Sequence, residues 1–316
     1  MLTDRIIFRF FCGLGDMHIF TMKKPDDIER RTNIPYGKHG KWNELDVYFP
    51  KGTETPLPAI VSVHGGGYVY GTKNLYQYYC MNLAQRGFTV VNFNYRLAPG
   101  AAFPSPVIET NEVMKWICLN AADYYIDLNN IFFVGDSAGA QIASQYAAIV
   151  TNNEYAGMFG IVVPEFKLRA VALNCGMYEK FHELDTALPG LLCDYFGKDP
   201  LQHGEKINVL KYINSSFPPA FIMSSANDFL LPCAKPMFEH LQKKGVPCVC
   251  EIYGVKEERK TAHTSLRPAN EKKFTADAGE PRLTHVFHLD IRKDSARKCN
   301  DAQCEFFKKY AVTMSA

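Results

Sequence analysis

Residues 131–140 are Ile131-Phe132-Phe133-Val134-Gly135-Asp136-Ser137-Ala138-Gly139-Ala140. An apolar run typical of a buried strand leads into the pattern G-x-S-x-G, and small residues typical of a helix packed on a sheet follow. We therefore expect Ser137 on a tight strand-to-helix turn, with its hydroxyl above the sheet edge. Gly135 and Gly139 leave out side chains that would collide where the chain turns back, and the helix directs its positive N-terminal end at the site.

Strand and helix patterns alternate on both sides of this motif. Leu45, Val47 and Phe49 alternate with polar residues, which predicts a half-buried strand. Further predicted strands are 59–63, 88–95, 131–134, 168–174, 220–224 and 248–253, and predicted helices are 74–86, 105–119, 138–150, 235–244 and 296–310. Apolar strands with helices between them indicate an α/β fold: a doubly wound, mainly parallel sheet with helices on both faces.

Two stretches interrupt this alternation within what we predict to be a single domain over residues 1–316. Residues 177–217 are rich in aromatic and turn residues, which favours a cap-like insertion over the carboxyl edge of the sheet. Residues 255–280 are polar and charged without a clear period, which favours a solvated loop. The sequence leaves open whether this second insertion lies over the entrance of the site.

Composition and charge exclude several classes of protein. The chain has 35 Lys and Arg against 33 Asp and Glu, a net charge of +2 that does not suit a nucleic-acid binder. Ten cysteines form no C-x-x-C pair, so we expect reduced thiols and a cytoplasmic protein. The apolar stretch 6–20 contains Arg9 and Asp16, which favours an element packed on the body over a signal peptide or membrane span. No metal-ligand spacing or cofactor motif is found, and the sequence leaves homodimer formation open.

A second glycine-rich segment follows the predicted strand 59–63. It has the sequence His64-Gly65-Gly66-Gly67-Tyr68, and three successive glycines there would be costly as packing alone. They allow backbone N–H groups to approach a ligand atom closely, as in the HGGG oxyanion-hole motif of lipases and esterases. A phosphate-binding loop would need G-x-x-x-x-G-K-[ST], which is absent from the sequence.

These motifs resemble the α/β-hydrolases of the hormone-sensitive-lipase-like group, which includes bacterial acetyl esterases and carboxylesterases. The resemblance covers roughly residues 40–255 and 280–312, and residues 94–99 with Phe103-Pro104 are similar to the YRLAP…FP block of that group. Ala140 departs from it, since a glycine is more frequent there. The resemblance implies the α/β-hydrolase fold and a catalytic triad in the order Ser, Asp, His.

The resemblance also implies roles for individual residues. Backbone N–H groups of Gly66, Gly67 and Ala138 would form the oxyanion hole. His64, Gly65 and Asp136 would support it structurally without transferring protons.

An acid and a base must complete such a site. Asp228 follows the predicted strand 220–224 and is the candidate acid, with the N-cap of the next helix as its alternative role. Of the histidines beyond it, His285 lies in an H-x-F triplet similar to that of the group and is the candidate base. His288 is second, His240 is expected within a helix and His263 within the polar insertion.

The expected function is that of a serine esterase acting on short-chain, acetyl-type esters of small molecules. An amidase, formamidase or peptidase would need the same triad and stays an alternative. A non-catalytic small-molecule binder is the alternative from another class, although it would be expected to lack the nucleophile or the base. Tyr68, Tyr70 and residues 177–217 either narrow the substrate pocket or belong to the core.

Overall fold

The computed structural model describes residues 2–178, 189–198, 200–254 and 283–312. Its strands form one eight-stranded sheet in the order β1-β2-β4-β3-β5-β6-β7-β8. The strands are β1 (Ile28–Pro35), β2 (Glu44–Pro50), β3 (Leu57–Val63), β4 (Thr89–Phe93), β5 (Ile126–Asp136), β6 (Leu168–Asn174), β7 (Ala220–Ser225) and β8 (Cys248–Tyr253). β2 pairs antiparallel with β1 and β4, and all other neighbouring strands are parallel.

Helices cover both faces of this sheet. They are α1 (Leu2–Asp16), α2 (Lys73–Ala84), α3 (Ser105–Asn120), α4 (Ala138–Thr151), α5 (Asn153–Phe159), α6 (Pro189–Phe196), α7 (Val209–Tyr212), α8 (Leu231–Lys243) and α9 (Asp294–Tyr310). Buried side chains of α3, α4 and α8 form one core with the sheet, and those of α2 and α9 form a second core on the opposite face. The predicted doubly wound α/β fold is confirmed.

Strand β2 differs from the half-buried strand that its sequence predicted. Asp46 and Tyr48, on the face expected to meet solvent, are buried. The Lys73 ammonium at the start of α2 lies 2.7 Å from Asp46 Oδ1, and the Tyr48 hydroxyl donates to Asp46 Oδ2 at 2.8 Å. The polar face is therefore satisfied by an internal ion pair and a hydrogen bond rather than by water.

Helix α1 confirms the expected N-terminal element, but its orientation was not expected. Arg5 lies 3.2 Å from Asp194 of α6, and Arg9 Nε donates to the carbonyl of Val69 at 2.9 Å. No residue of α1 is buried, and apolar side chains such as Phe10 and Phe11 are exposed. The helix thus contacts the body through two arginines and through Phe8, which packs against the first core. Within the described ranges, no helix combines the length and the hydropathy required to cross a bilayer.

All ten cysteines carry free thiols, and six of them are buried. The predicted polar insertion 255–280 lies outside the described residues. Part of the predicted cap-like insertion is described. Its helix α6 packs against the glycine-rich segment, since the rings of Tyr195 and Tyr68 stack at 3.8 Å. Tyr68 is buried in the core, and Tyr70 is half-buried with its hydroxyl donating to Asp16 at 2.9 Å.

Candidate active site

Ser137 occupies a sharp turn between β5 and α4. Its φ of 54° and ψ of −121° lie in a region that residues other than glycine rarely adopt, which is typical of strained functional positions. A Cβ on Gly135 would come within 2.3 Å of the Gly139 carbonyl oxygen, and one on Gly139 within 2.1 Å of the Val63 carbonyl oxygen. Only glycine at both positions therefore lets α4 start so close to β3.

The glycine-rich segment 64–68 follows β3, the neighbour of β5 in the sheet. Gly66 has a φ of +114°, and a Cβ there would lie 2.2 Å from the Tyr70 carbonyl oxygen, so a side chain would displace the loop. Within the described part of the chain, the backbone N–H groups of Gly66, Gly67 and Ala138 have no hydrogen-bond acceptor. Unpaired donors next to a strained serine are what an oxyanion hole requires.

His64 and Asp136 lie beneath this loop. His64 is buried and stacks on Tyr95 at 4.1 Å, and its Nδ1 contacts the Gly65 carbonyl oxygen at 2.8 Å. Since a carbonyl oxygen can only accept, Nδ1 carries the proton. Burial lowers the pKa of His64 to about 4, so the ring is neutral near pH 7 and unsuited to proton transfer.

The Tyr76 hydroxyl connects Asp136 to the glycine-rich segment by hydrogen bonds. The Tyr76 hydroxyl donates to Asp136 Oδ2 at 2.8 Å and accepts the Gly65 N–H at 2.8 Å. Burial raises the pKa of Asp136 to about 7, although the hydrogen bond from Tyr76 acts in the opposite direction. Nothing in the sequence distinguishes Tyr76, because a tyrosine inside a predicted helix carries no signal of such a contact.

Asp228 lies in the loop after β7, and its side chain is fully buried. Oδ1 accepts the backbone N–H of Leu230 at 2.9 Å, and Oδ2 accepts the Ser224 hydroxyl at 2.8 Å. Burial raises the pKa of this carboxyl, but the hydrogen bond and charge of His285 and the further donors outweigh it, so the pKa lies below the ordinary 3.8. Asp228 is therefore ionised near pH 7. The alternative role expected from the sequence, the N-cap of the next helix, is wrong, because the N-cap of α8 is Leu230.

His285 contacts Asp228 directly. Its Nδ1 lies 2.7 Å from Asp228 Oδ1, and the ring is partly exposed. A parallel bridge between Asn227 and Thr284 joins the two loops and brings the base beside the acid although 57 positions separate them. The exposed ring of Phe229 lies 4.4 Å from the imidazole.

The remaining candidate histidines lie elsewhere. His288 is buried between α2 and α9, with its ring edge-on to Tyr79 at 5.2 Å, and burial lowers its pKa to about 3. His240 is half-buried within α8, and His263 lies outside the described residues.

The carboxyl ends of adjacent strands bring these groups to one edge of the sheet. β5 leads to Ser137, β6 lies next to it, and β7 leads to Asp228. The backbone N–H of Ser137 donates to the carbonyl of Asn174 at the end of β6, at 2.9 Å. The charge of His285 acts on Asp136, the residue preceding Ser137. The sequence-predicted nucleophile, acid and base thus belong to one region.

Cys175 had no sequence signal, yet it lies in this region. Its sulfur, a carboxylate oxygen of Asp228 and a ring nitrogen of His285 lie within 4.8 Å of one another. Among the described residues, this is the one group of side chains with metal-ligand spacing. A metal ion there would compete with the hydrogen bond between Asp228 and His285.

Comparison with known proteins assigns the chain to a family. A family model described as BD-FAE matches residues 45–244. The chain belongs to the BD-FAE family. The matched region of this BD-FAE protein includes β2 to α8, with Ser137 and Asp228, and ends before His285.

Among relatives of this BD-FAE protein, versiconal hemiacetal acetate esterase of Dothistroma septosporum is 28% identical over 66% of this chain and 67% of its own length. The acetyl esterase of Salmonella schwarzengrund is 26% identical over 66% of both chains. Matches to the curated relatives span between half and two thirds of their lengths.

A solved structure with the same fold is esterase B of Lactobacillus rhamnosis. It is 22% identical, with a TM-score of 0.83 over 98% of this chain and 95% of that one. At this identity the likeness establishes the α/β-hydrolase fold.

Proposed function

We propose that this protein is a carboxylic ester hydrolase in which Ser137 is the nucleophile, His285 the base and Asp228 the acid. The observation that carries the proposal is the 2.7 Å contact between His285 Nδ1 and Asp228 Oδ1, at the sheet edge where the strained Ser137 turn lies. An imidazole held by a buried carboxylate is the arrangement that activates a serine hydroxyl.

In the first half of the reaction, the Ser137 hydroxyl oxygen attacks the ester carbonyl carbon, and His285 Nε2 accepts the hydroxyl proton. Because Asp228 Oδ1 holds the proton on Nδ1, Nε2 is the free acceptor. The tetrahedral intermediate collapses when the carbon–oxygen bond to the alcohol breaks and His285 returns the proton to the leaving oxygen. An acyl-serine and the free alcohol result.

The second half repeats these steps with water. Water attacks the acyl carbon as its proton passes to His285, and the proton then returns to the Ser137 oxygen as the acid leaves. Asp228, ionised because its pKa is lowered, stabilises the transient imidazolium. The N–H groups of Gly66, Gly67 and Ala138 hold the oxyanion in both halves, and one such donor typically lowers the barrier by roughly 3–4 kcal/mol.

Short acyl groups are the proposed substrates. Two relatives are named as esterases of acetate or acetyl groups, which supports this choice. We propose that the described part of residues 177–217 forms a cap, because α6 packs on Tyr68 of the glycine-rich segment and Asp194 of α6 pairs with Arg5 of α1.

Hydrolysis of p-nitrophenyl acetate by the wild type and by Ser137→Ala tests the nucleophile. We expect Ser137→Ala to lose activity by on the order of 10⁴-fold or more, because removal of a triad nucleophile leaves only binding and the oxyanion hole. Ser216→Ala, an exposed serine, is the matched control and should keep wild-type turnover. Mass spectrometry after reaction with a p-nitrophenyl phosphonate should find the adduct on Ser137.

Equal activity in the wild type and Ser137→Ala would contradict the nucleophile, and no activity in either would favour a binding protein. Turnover of p-nitroacetanilide compared with p-nitrophenyl acetate distinguishes an amidase from an esterase. An amidase must protonate an amine leaving group. If kcat/KM were higher for p-nitroacetanilide than for p-nitrophenyl acetate, amidase activity would be favoured and our proposal of an esterase would be contradicted.

A further inference from the structure

Cys175 lies between the two loops that carry Asp228 and His285. It follows β6, and its backbone N–H donates to the carbonyl of Met223 in β7 at 2.6 Å. Its side chain is buried, and its sulfur is within 4.8 Å of both an Asp228 oxygen and a His285 nitrogen. The proposed mechanism assigns it no role.

The thiol makes contact with both loops. Its sulfur lies within 4.8 Å of a carboxylate oxygen of Asp228, and both Asp228 and the backbone of Val286 act on the pKa of the thiol. Burial raises the pKa of the thiol well above 9.0, so the group stays protonated and remains a donor near neutral pH. Asp136 is the other carboxylate that acts on it electrostatically.

The backbone on both sides of this contact is strained. Cys175 has a φ of +50° and Val286 a φ of +52°, and a left-handed conformation is a genuine outlier for a β-branched residue such as valine. Strained residues persist only where the surrounding structure holds them, and they cluster at functional sites. Here both such residues lie next to the candidate base: Val286 follows His285 in the chain, and the Cys175 sulfur lies within 4.8 Å of a His285 ring nitrogen.

We propose that Cys175 is a positioning residue for the triad: its thiol holds the Asp228 carboxylate and the Val286 peptide together, and so aligns the His285 ring with both Asp228 and Ser137. The inference rests on the proposed function. It predicts that loss of the thiol slows the chemical step and leaves substrate binding unchanged.

The test compares Cys175→Ala, Cys175→Gly and Cys175→Ser in p-nitrophenyl acetate hydrolysis, with rates divided by the concentration of sites that react with a phosphonate. Removing a hydrogen bond to a charged group should lower kcat about 10- to 100-fold in the Ala and Gly variants, with KM changed by less than about twofold. The Ser variant retains a donor and should recover most of kcat. In the Ser variant, the NMR resonance of the His285 Nδ1–H proton should remain visible. In the Ala variant, the same resonance should weaken.

The Gly variant separates the thiol from the backbone, because glycine accepts a φ of +50° without strain. Activity lost in Ala but kept in Gly would assign the effect to backbone conformation and overturn the proposal. So would a kcat within about twofold of wild type in both variants. Cys304→Ala removes a buried thiol from α9 and should leave kcat unchanged. A wild-type kcat in Ser137→Ala would instead contradict the proposed function itself.

Discussion

At the scale of single residues, two histidines three positions apart meet opposite environments. His285 is partly exposed and bonded to the ionised Asp228, so its outer nitrogen can exchange protons with a substrate. His288 is buried, and neither of its ring nitrogens has a hydrogen-bond partner within the described residues. Only the first environment stabilises an imidazolium, which the proposed reaction forms twice.

We therefore predict that His285→Ala lowers kcat/KM for p-nitrophenyl acetate by on the order of 10⁴-fold, since the hydroxyl of Ser137 loses its proton acceptor. His288→Ala should lower activity per folded molecule by less than about tenfold, because the ring transfers no proton. The measurement is steady-state kinetics on protein whose folded fraction is known from circular dichroism. If His288→Ala lost more activity than His285→Ala, His288 would be the base instead.

At the scale of elements, α4 and β3 meet more closely than side chains allow. The absence of a Cβ at Gly139 lets the first turn of α4 touch the carbonyl groups of Val63 and His64. That contact fixes the distance between the Ala138 N–H and the glycine-rich segment. The oxyanion hole is thus a property of two elements held in register rather than of either alone.

Gly139→Ala should push α4 away from β3 and separate the oxyanion donors. We expect a loss of roughly 1–3 kcal/mol in the free energy of unfolding, as for overpacked cores, together with a lower kcat. Gly157→Ala in α5 is the matched control: its Cβ would meet nothing within 4 Å, so stability should rise by up to about 1 kcal/mol. Urea unfolding of both variants checks the prediction, and equal effects would refute the close-contact argument.

At the scale of the whole molecule, both cores contain buried polar groups that titrate differently after unfolding. Burial depresses the pKa of His64 to about 4 and of His288 to about 3. Below pH 6.5 the unfolded chain therefore binds protons at both positions before the folded protein does, and acidification destabilises the fold. Asp136, with its pKa raised by burial to about 7, acts in the opposite direction between pH 7 and 3.8.

Two histidines outweigh one carboxyl, so the free energy of unfolding should fall as the pH is lowered from 6.5 to 4. The variant His288→Leu lacks one of these histidines. Between pH 6.5 and pH 4, its free energy of unfolding should therefore fall by about 3 kcal/mol less than that of the wild type. Urea unfolding at pH 6.5, 5 and 4 measures the difference. His39 is exposed, so the free energy of unfolding of His39→Leu should change with pH as in the wild type. If the wild type and His288→Leu showed the same dependence on pH, the lowered pKa of His288 would be contradicted.

The fold class and most element positions follow from the sequence alone. Predicted strands 168–174 and 248–253 coincide with β6 and β8, because runs of apolar residues buried on both faces have no alternative solvated arrangement. The Ser137 turn was also predictable, since the glycines at 135 and 139 report a close approach of backbone. Local residue types suffice wherever the constraint is local.

Tertiary structure alone decided which polar residues meet. The pairing of Asp46 with Lys73, the contact of Tyr76 with Asp136 and the position of Cys175 beside Asp228 join residues far apart in the chain. The tertiary structure also brings Arg5 and Arg9 of α1 against the body, where they meet Asp194 and the carbonyl of Val69. Burial decides which polar groups need partners, and burial depends on elements that one stretch of sequence does not contain.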